Sequence, residues 1–357
     1  DELSSVVAIA VDKYEPHDPK EDGNYLVTIQ IPIPTKIAGG GEGGGGEGGA
    51  GSVQVMSSTG LSLQHALDNL QKRVNNQLFL GHTRVLLISE EVARDGVMDI
   101  IDFFRRNPHA RRLMGVIITQ NKAKDALNVL TSLEQVPAVY LISIMENGAR
   151  QQMMPKITLG DFNIALSTPY LYPFTYYSST GETDFSWKGL ALFKEDKMVG
   201  NLSERESWLL MHLIKEGSGG NFILRFDEKG SPRQLIIKPG SVKTKLKTKV
   251  NRGQVTARYD VELEVDIREN NTGYKLGNQK LLAQLSYQIA RILEEESNQL
   301  VSKLQREGID VLSLGAKIKA HHYEEWKKLN WKDAFPKANI DVHYDVIIRR
   351  TGLQTHF

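Results

Sequence analysis

Cysteine is absent from all 357 residues. Disulfides and cysteine-ligated zinc are therefore excluded. No apolar run approaches the ~20 residues that a membrane-spanning helix needs. Charge of one sign is lacking as well: 44 Lys and Arg stand against 43 Asp and Glu, for a formal net charge of +1. A nucleic-acid binder needs a basic excess or a concentrated basic stripe, so this class is disfavoured. Catalytic signatures are missing too. There is no G-x-S-x-G, no Walker motif and no H-E-x-x-H. Glycine is plentiful but gathered in one place, GGGEGGGGEGG from Gly39 to Gly49. Such a stretch cannot bury apolar area against its ordering cost and reads as a loop. It is no phosphate cradle, because it lacks a Lys-Ser/Thr ending and its glutamates repel phosphate.

Hydrophobic residues make up 40% of the chain and charged residues 24%, an ordinary globular balance. The length calls for two or three domains. Val6 to Val11 and Tyr25 to Ile33 read as an antiparallel strand pair, and Val53 to Ser57 as a third strand. Ser62 caps a helix with the face Leu63, Leu67, Leu70 and Val74. Thr83 to Ile88 and Met114 to Thr119 are apolar, strand-like runs. Helical spacing appears at Val97, Ile100, Ile101 and Phe104, and helices are expected over Lys122–Leu130, Val136–Gln151 and Pro155–Ser167. Tyr170 to Tyr177 reads as a connector.

The stretch Phe185 to Leu213 organises the centre. Trp187, Gly189, Ala191 and Phe193 alternate as strand positions do, Glu195-Asp196-Lys197 turns, and Met198 to Gly200 returns. Ser203 and Glu206 form an S-x-x-E capping box before Trp208 to Ile214. Phe222–Phe226 and Leu235–Lys238 follow as strands. From Gly240 onward the pattern is β-β-α-α-β, an antiparallel sheet with helices on one face. The lysines at 243, 245, 247 and 249 alternate with apolar residues. With Arg252-Gly253 as a two-residue turn, Lys243 faces Glu262, Lys245 faces Asp260 and Val250 faces Val255. A helix over 277–307 carries the stripe Leu281, Leu285, Ile289, Ile292, Leu300 and Leu304. Asp310 caps a second helix running to about Leu329, and Ile340 to Ile348 closes the sheet.

The stretch KGLALFKEDKMVGNLSERES resembles the opening of the C-terminal half of the Ger(x)C proteins, the C subunits of bacterial spore nutrient germinant receptors. GHTRVLLISEEVARDGVMDIIDFFRRNPHARR, from Gly81 to Arg112, is a second match, and the N-terminal DELSSVVAIAVD is a third. The resemblance implies no catalytic residue and no cofactor. It implies integral-membrane A and B subunits as partners, and a signal peptide and lipid-bearing cysteine upstream of Asp1. The implied location is the outer face of the spore inner membrane.

Phe103, Phe104, Arg105, Arg106, Arg111 and Arg112 form the one compact basic-aromatic cluster. It can be read as a nucleic-acid contact, as a helix end with cations at its negative terminus, or as a partner-binding edge. His321-His322 with Glu324-Glu325 shares a helix face, but no third metal ligand is placed. His212 reads as a packed helix residue, and Glu90-Glu91 as carboxylates at a helix start. The expected fold is α+β, an elongated multi-domain chain of mixed and antiparallel sheets with helices packed on them. Its expected divisions are 1–180, a middle hairpin-helix segment 181–238, and 239–357. The expected function is that of a non-enzymatic receptor subunit, with a stand-alone nutrient-binding module as the alternative and a hydrolase whose site the sequence does not show as the third reading.

Overall fold

The computed structural model describes residues 3–15, 23–33, 52–129, 134–181, 183–228, 231–272, 276 and 278–350. The glycine-rich loop at 39–49 lies outside the described residues. The chain divides into two compact units, the first comprising 1–147 and 157–202, the second 148–156 and 203–357. The segment 181–238 does not form a unit of its own. The two strands of its hairpin belong almost entirely to the first unit, and its helix and later strands to the second.

The first unit contains β1 (Leu3–Ser5), β2 (Ala8–Lys13), β3 (Tyr25–Pro32), β4 (Val53–Gly60), α1 (Leu63–Gln71), β5 (Gln77–Phe79), β6 (Val85–Ser89), α2 (Glu90–Asp95), α3 (Met98–Arg106), β7 (Gly115–Thr119) and α4 (Ala123–Ala126). It continues with most of α5 (Pro137–Arg150), then α6 (Leu159–Ser167), β8 (Phe174–Thr180), β9 (Phe185–Lys194) and β10 (Lys197–Ser203). Eight strands form one mixed sheet in the order β10-β9-β8-β7-β6-β2-β3-β4. β2, β6, β7 and β8 run parallel, whereas β3, β4 and β9 pair antiparallel to their neighbours. Every residue of β6 is buried, as a parallel strand covered on both faces requires. Ile9, Leu86, Ile88, Val116 and Ile118 share one core with α1 and with Ile100, Ile101 and Phe104 of α3. On the opposite face α5 comes close enough that a Cβ on Gly115 would sit 3.1 Å from Met145.

Three sequence expectations change here. The aromatic connector is a strand, since Phe174–Thr180 lies between β7 and β9 with Thr175, Tyr176, Tyr177 and Ser178 buried. The helix expected over 122–130 is one turn, Ala123–Ala126. The helix expected from Pro155 starts at Leu159, where Thr158 and Asp161 form a capping box. The alternation in β9 also breaks. Tyr177 pairs with Gly189 but Ser178 with Trp187, leaving Lys188 as the extra residue of a bulge. Gly189 has φ +129, which a side chain would resist.

The second unit holds the strip 148–156, α7 (Glu204–Ile214), β11 (Phe222–Glu228), β12 (Ser231–Asn251), β13 (Gln254–Asn270), α8 (Gln279–Glu307), α9 (Leu314–His321), α10 (Tyr323–Trp326), α11 (Trp331–Ala334) and β14 (Asn339–Arg350). Its sheet is ordered β11-β12-β13-β14. Leu235–Lys238 and the lysine strand are one continuous β12, so no division falls at 238. The β12–β13 register is the expected one: Lys243 faces Glu262, Lys245 faces Asp260 and Val250 faces Val255. Arg252 and Gly253 both have positive φ, as a tight hairpin turn of this hand requires. The sheet is not wholly antiparallel, however, because β14 runs parallel to β13. A parallel return needs a long crossover, and α8 supplies it: its 29 residues span about 44 Å. The buried stripe of α8 runs Leu285, Ile289, Leu293, Ser297, Leu300 and Leu304, so Leu293 replaces the expected Ile292 and a serine fills the gap. The helix expected after Asp310 breaks at His322, whose backbone leaves the helical region.

Both halves of the Ser203–Glu206 capping box are present. Ser203→Ala is expected to lower stability by about 1 kcal/mol, the usual cost of a lost N-cap, measured by urea titration; no change would show that the cap contributes nothing to the fold. Trp208 is half-buried, its indole Nε1 donating to the Met153 carbonyl at 2.9 Å. A Cβ on Gly220 would lie 2.4 Å from the indole ring, so glycine is required beneath it.

The lysine row is answered diagonally. Lys245 reaches Glu262 at 3.1 Å and Lys247 reaches Asp260 at 2.8 Å. Lys247 and Arg258 together hold the Asp260 carboxyl down to about 2. Exposed pairs of this kind contribute little stability, but they offset the positive charge of the face. The chain is therefore expected to bind phosphatidylserine vesicles weakly or not at all at physiological salt. Strong co-sedimentation abolished by Lys→Gln at 243 and 245 would contradict this.

Candidate functional site

The basic-aromatic cluster is built from the end of α3 and the loop that follows. Phe104 is 3% exposed and belongs to the sheet core with Ile100 and Ile101. It is therefore no surface contact, because its position in the helical period points it inward. Phe103 packs edge-on against it at 5.1 Å, and its outer side faces a groove of about 430 Å³ that Phe79 and His109 also line. Arg105 and Arg106 both bind Asp102 one turn earlier, and Arg106 hydrogen bonding holds that carboxyl below its ordinary range despite some desolvation. This matches the reading of cations at a helix C-terminus.

Arg111, Arg112 and Leu113 continue as an exposed loop, with Leu113 74% exposed. The loop is fixed from behind, since Gly160 and Leu159 at the start of α6 donate to the carbonyls of Arg112 and Met114 at 2.9 and 2.8 Å. Arg105 and Arg112 line a smaller crevice of about 140 Å³ with Pro108 and Asn163. The structure thus separates the six residues into a core phenylalanine, a groove phenylalanine, two helix-end arginines and two loop arginines.

Other residues singled out in the sequence take structural positions. His322 Nε2 lies 2.9 Å from the Thr248 hydroxyl, and Glu324 pairs with Lys327 at 2.9 Å. Among the described residues no group of three His, Cys, Asp or Glu is placed to hold a metal ion. Glu90 begins α2 and binds Arg94 and the Tyr177 hydroxyl. His212 is fully buried. Its Nε2 stands 2.9 Å from the Ser218 carbonyl and its Nδ1 3.0 Å from the Tyr344 hydroxyl. A carbonyl only accepts, so Nε2 carries the proton and Nδ1 accepts from Tyr344. Ser297 stands 3.2 Å from the same tyrosine oxygen.

Sequence reading missed two buried polar groups, Ser297 and Asp12, and read a third, Asp310, only as a helix cap. Ser297 sits in a gap of the α8 stripe, which was the visible signal for it. Asp310 is fully buried and accepts from the Leu314 and Gly315 amides and from the Trp331 indole at 3.0, 2.7 and 3.1 Å. Burial pushes its carboxyl up to about 7 against these donors and the nearby Lys317 ammonium. Asp12, at the end of β2, accepts from the Ala123 and Lys124 amides at 2.6 and 2.9 Å, and burial raises its carboxyl too. Nothing in the local pattern distinguishes the two carboxylates from exposed ones.

Comparison with known proteins places this geometry in a family. Residues 1–179 match the "Spore germination protein N-terminal domain" and residues 188–352 match "Spore germination B3/ GerAC like, C-terminal". Similar proteins include spore germination protein YndF of Bacillus subtilis (strain 168), 27% identical over 375 residues, covering 99% of this chain and 91% of that protein. Spore germination protein KC of the same organism is 24% identical, with the same coverage of each chain. GerQC of Bacillus cereus is 22% identical over 94% of this chain and 90% of its own. The crystal structure of the GerBC protein shares the fold at a TM-score of 0.60 and 18% identity, covering 95% of this chain and 96% of that one. Both halves are matched, in order and nearly end to end, and the chain belongs to the spore germination GerAC-like family, the Ger(x)C family whose motifs its sequence carries.

Proposed function

We propose that the chain is the non-enzymatic, extracytoplasmic C subunit of a spore germinant receptor, acting in receptor assembly or in nutrient signalling during germination. Family membership across both halves carries this reading. The partners are the integral-membrane A and B subunits. Attachment is through a lipid upstream of this segment, at the outer face of the spore inner membrane. A single acyl chain gives only marginal membrane binding, so protein contacts have to share the work. No helix among the described residues is long and apolar enough to cross a membrane.

The partner contact lies on the first unit, at Arg111 and Arg112 beside the exposed Leu113, with Phe103 and Arg105 at its edges. Arginine with an exposed large apolar neighbour suits an interface centre. The test is co-purification of the lipidated chain with the A and B subunits from detergent-solubilised membranes. The double variant Arg111→Glu, Arg112→Glu is expected to lose at least about tenfold of the co-purified partner, as one lost hot spot does, with no change in melting temperature. Unchanged recovery would move the contact elsewhere. Failure of the unaltered chain to co-purify would overturn the receptor reading itself.

A further inference from the structure

Two concavities flank the loop that follows α3, and Asn107 lines both of them. The larger is the groove of about 430 Å³, with Leu3, Phe79, Phe103 and His109 on its walls. Leu3 is 48% exposed there, and the Phe79 ring lies 5.9 Å from that of His109. Asp68, which also lines the groove, accepts from Gln64 at 2.7 Å. The groove is thus apolar at its walls, and its carboxylate repels a second one.

The smaller crevice, of about 140 Å³, has the opposite character. Phe104 and Leu159 give it an apolar lining, and Arg105, Arg112 and Asn163 supply its polar groups. No carboxylate is among the residues that line it. Arg105 shares Asp102 with Arg106. Arg111 and Arg112 are exposed, and neither side chain has an ion pair among the described residues. The Asn107 side-chain oxygen accepts from the His109 amide at 3.0 Å, which leaves its nitrogen to donate elsewhere. Guanidinium and amide donors therefore converge on a space too small for a drug-sized ligand and suited to one acidic side chain. Arginine matches a carboxylate in particular, because its planar fork donates two parallel hydrogen bonds.

The place in the fold agrees with this. Ala8, Val85 and Gly115 stand in register at the start of three parallel strands. The residues before them, Leu3–Ser5 and 111–113, lie at that same end of the sheet. On the receptor reading, the segment upstream of Leu3 leads to the lipid, so this end is the one held near the bilayer. Loops of integral-membrane proteins on the outer side are poorer in lysine and arginine than cytoplasmic ones, and unpaired arginines meet little repulsion there.

We propose that the loop 107–112 receives an extended acidic segment of a partner protein. An aspartate or glutamate carboxylate enters the crevice against Arg112 and Asn163, and a neighbouring apolar side chain enters the groove against Leu3 and Phe79. A lipid phosphate would answer the arginines but leave the groove open. The proposal rests on the receptor reading only in naming that segment as an outer loop of the A or B subunit.

The test is fluorescence anisotropy of the intact chain with short, end-blocked, labelled peptides of leucine, serine and glutamate. Matched peptides carry lysine for glutamate or serine for leucine, and phosphatidylglycerol vesicles serve as the lipid probe. The acidic peptide is expected to bind saturably, and at least about tenfold more tightly than either matched peptide. Arg112→Gln and Asn163→Asp should each weaken it by about tenfold or more, the scale of a hydrogen bond to a charged group. Both side chains lie at the surface, so melting temperatures should not change. The proposal is overturned if the acidic peptide shows no saturable binding at millimolar concentration, if the lysine peptide binds as well, or if both variants bind like the unaltered chain. Vesicle binding that needs Arg112, without peptide binding, would assign the surface to lipid and also overturn it. Peptide binding without co-purification of the A and B subunits would uphold the acidic-segment site and remove the receptor reading. Co-purification without discrimination between the peptides would do the reverse.

Discussion

Asp310→Ala is expected to destabilise the second unit by about 3–5 kcal/mol, the cost of removing one side of a buried charged network. Three N–H donors converge on this carboxylate, two from the start of α9 and one from the Trp331 indole. The variant leaves all three buried and unanswered. The indole reaches Asp310 because residue 315 is glycine; a Cβ there would lie 2.5 Å from Trp331 Nε1. The loss should appear in urea titration followed by tryptophan fluorescence, whereas the exposed Glu324→Ala should change stability by no more than about 0.5 kcal/mol. Burial raises the folded carboxyl to about 7 from 3.8. The folded state then holds its proton more tightly than the unfolded chain does. This contribution is full below the unfolded value and is lost as pH rises toward 7. The margin of the native chain over Asp310→Ala should therefore widen on acidification from pH 7 to 4. Equal stability of the two at every pH would refute the buried-network account.

His212 acts in the opposite direction. Its Nδ1 accepts from Tyr344, so protonation there would set two donors against each other, and burial alone already disfavours the cation. Together with this geometry, desolvation brings the imidazole down to about 4 from 6.5, against the Ser218 carbonyl that favours its N–H. Between these values the unfolded chain takes up a proton that the folded one refuses. Stability is thus present above about 6.5 and falls as pH drops toward 4, by roughly 3 kcal/mol at 1.36 kcal/mol per unit. His212→Gln keeps a donor for Ser218 and an acceptor for Tyr344 but takes up no proton. The native chain should lose about 2–3 kcal/mol more than this variant between pH 7 and 4. Because Asp310 gains stability over nearly the same window, the unaltered chain shows only the difference, and single variants are needed to separate the slopes. Parallel pH profiles for native and His212→Gln chains would mean that the imidazole is already protonated or reached by water.

The contrast between legible and hidden features follows from what each depends on. The β12–β13 register was readable because alternation and a two-residue turn leave one pairing that keeps Lys243 and Lys245 opposite carboxylates and Val250 opposite Val255. The Ser203 capping box and the inward stripe of α8 are likewise short-range patterns. The direction of β14 was not readable, because alternation is the same whichever way a strand runs. β8 was missed because Thr175 and Ser178 are buried polar residues whose partners, the carbonyls of Val116 and Ile118, lie on another strand. Of the cluster from Phe103 to Arg112, the sequence could locate the helix end but not show that Phe104 faces the core. Asp12 owes its character to the Ala123 and Lys124 amides, more than a hundred residues along the chain.

The strip 148–156 has a consequence for synthesis. It belongs to the second unit, where the Trp208 indole and the Gly219 amide bind the carbonyls of Met153 and Gln152. Yet the ribosome makes it before β8, β9 and β10, which complete the sheet of the first. At about 5–20 residues per second, the strip waits several seconds for Trp208 and Gly219, and the last strands of the first sheet are made in that interval. Neither unit is therefore a contiguous product of translation. A nascent chain released at Leu202 would hold every strand of the first sheet but the last residue of β10, while the strip still lacked the Trp208 and Gly219 groups that bind it.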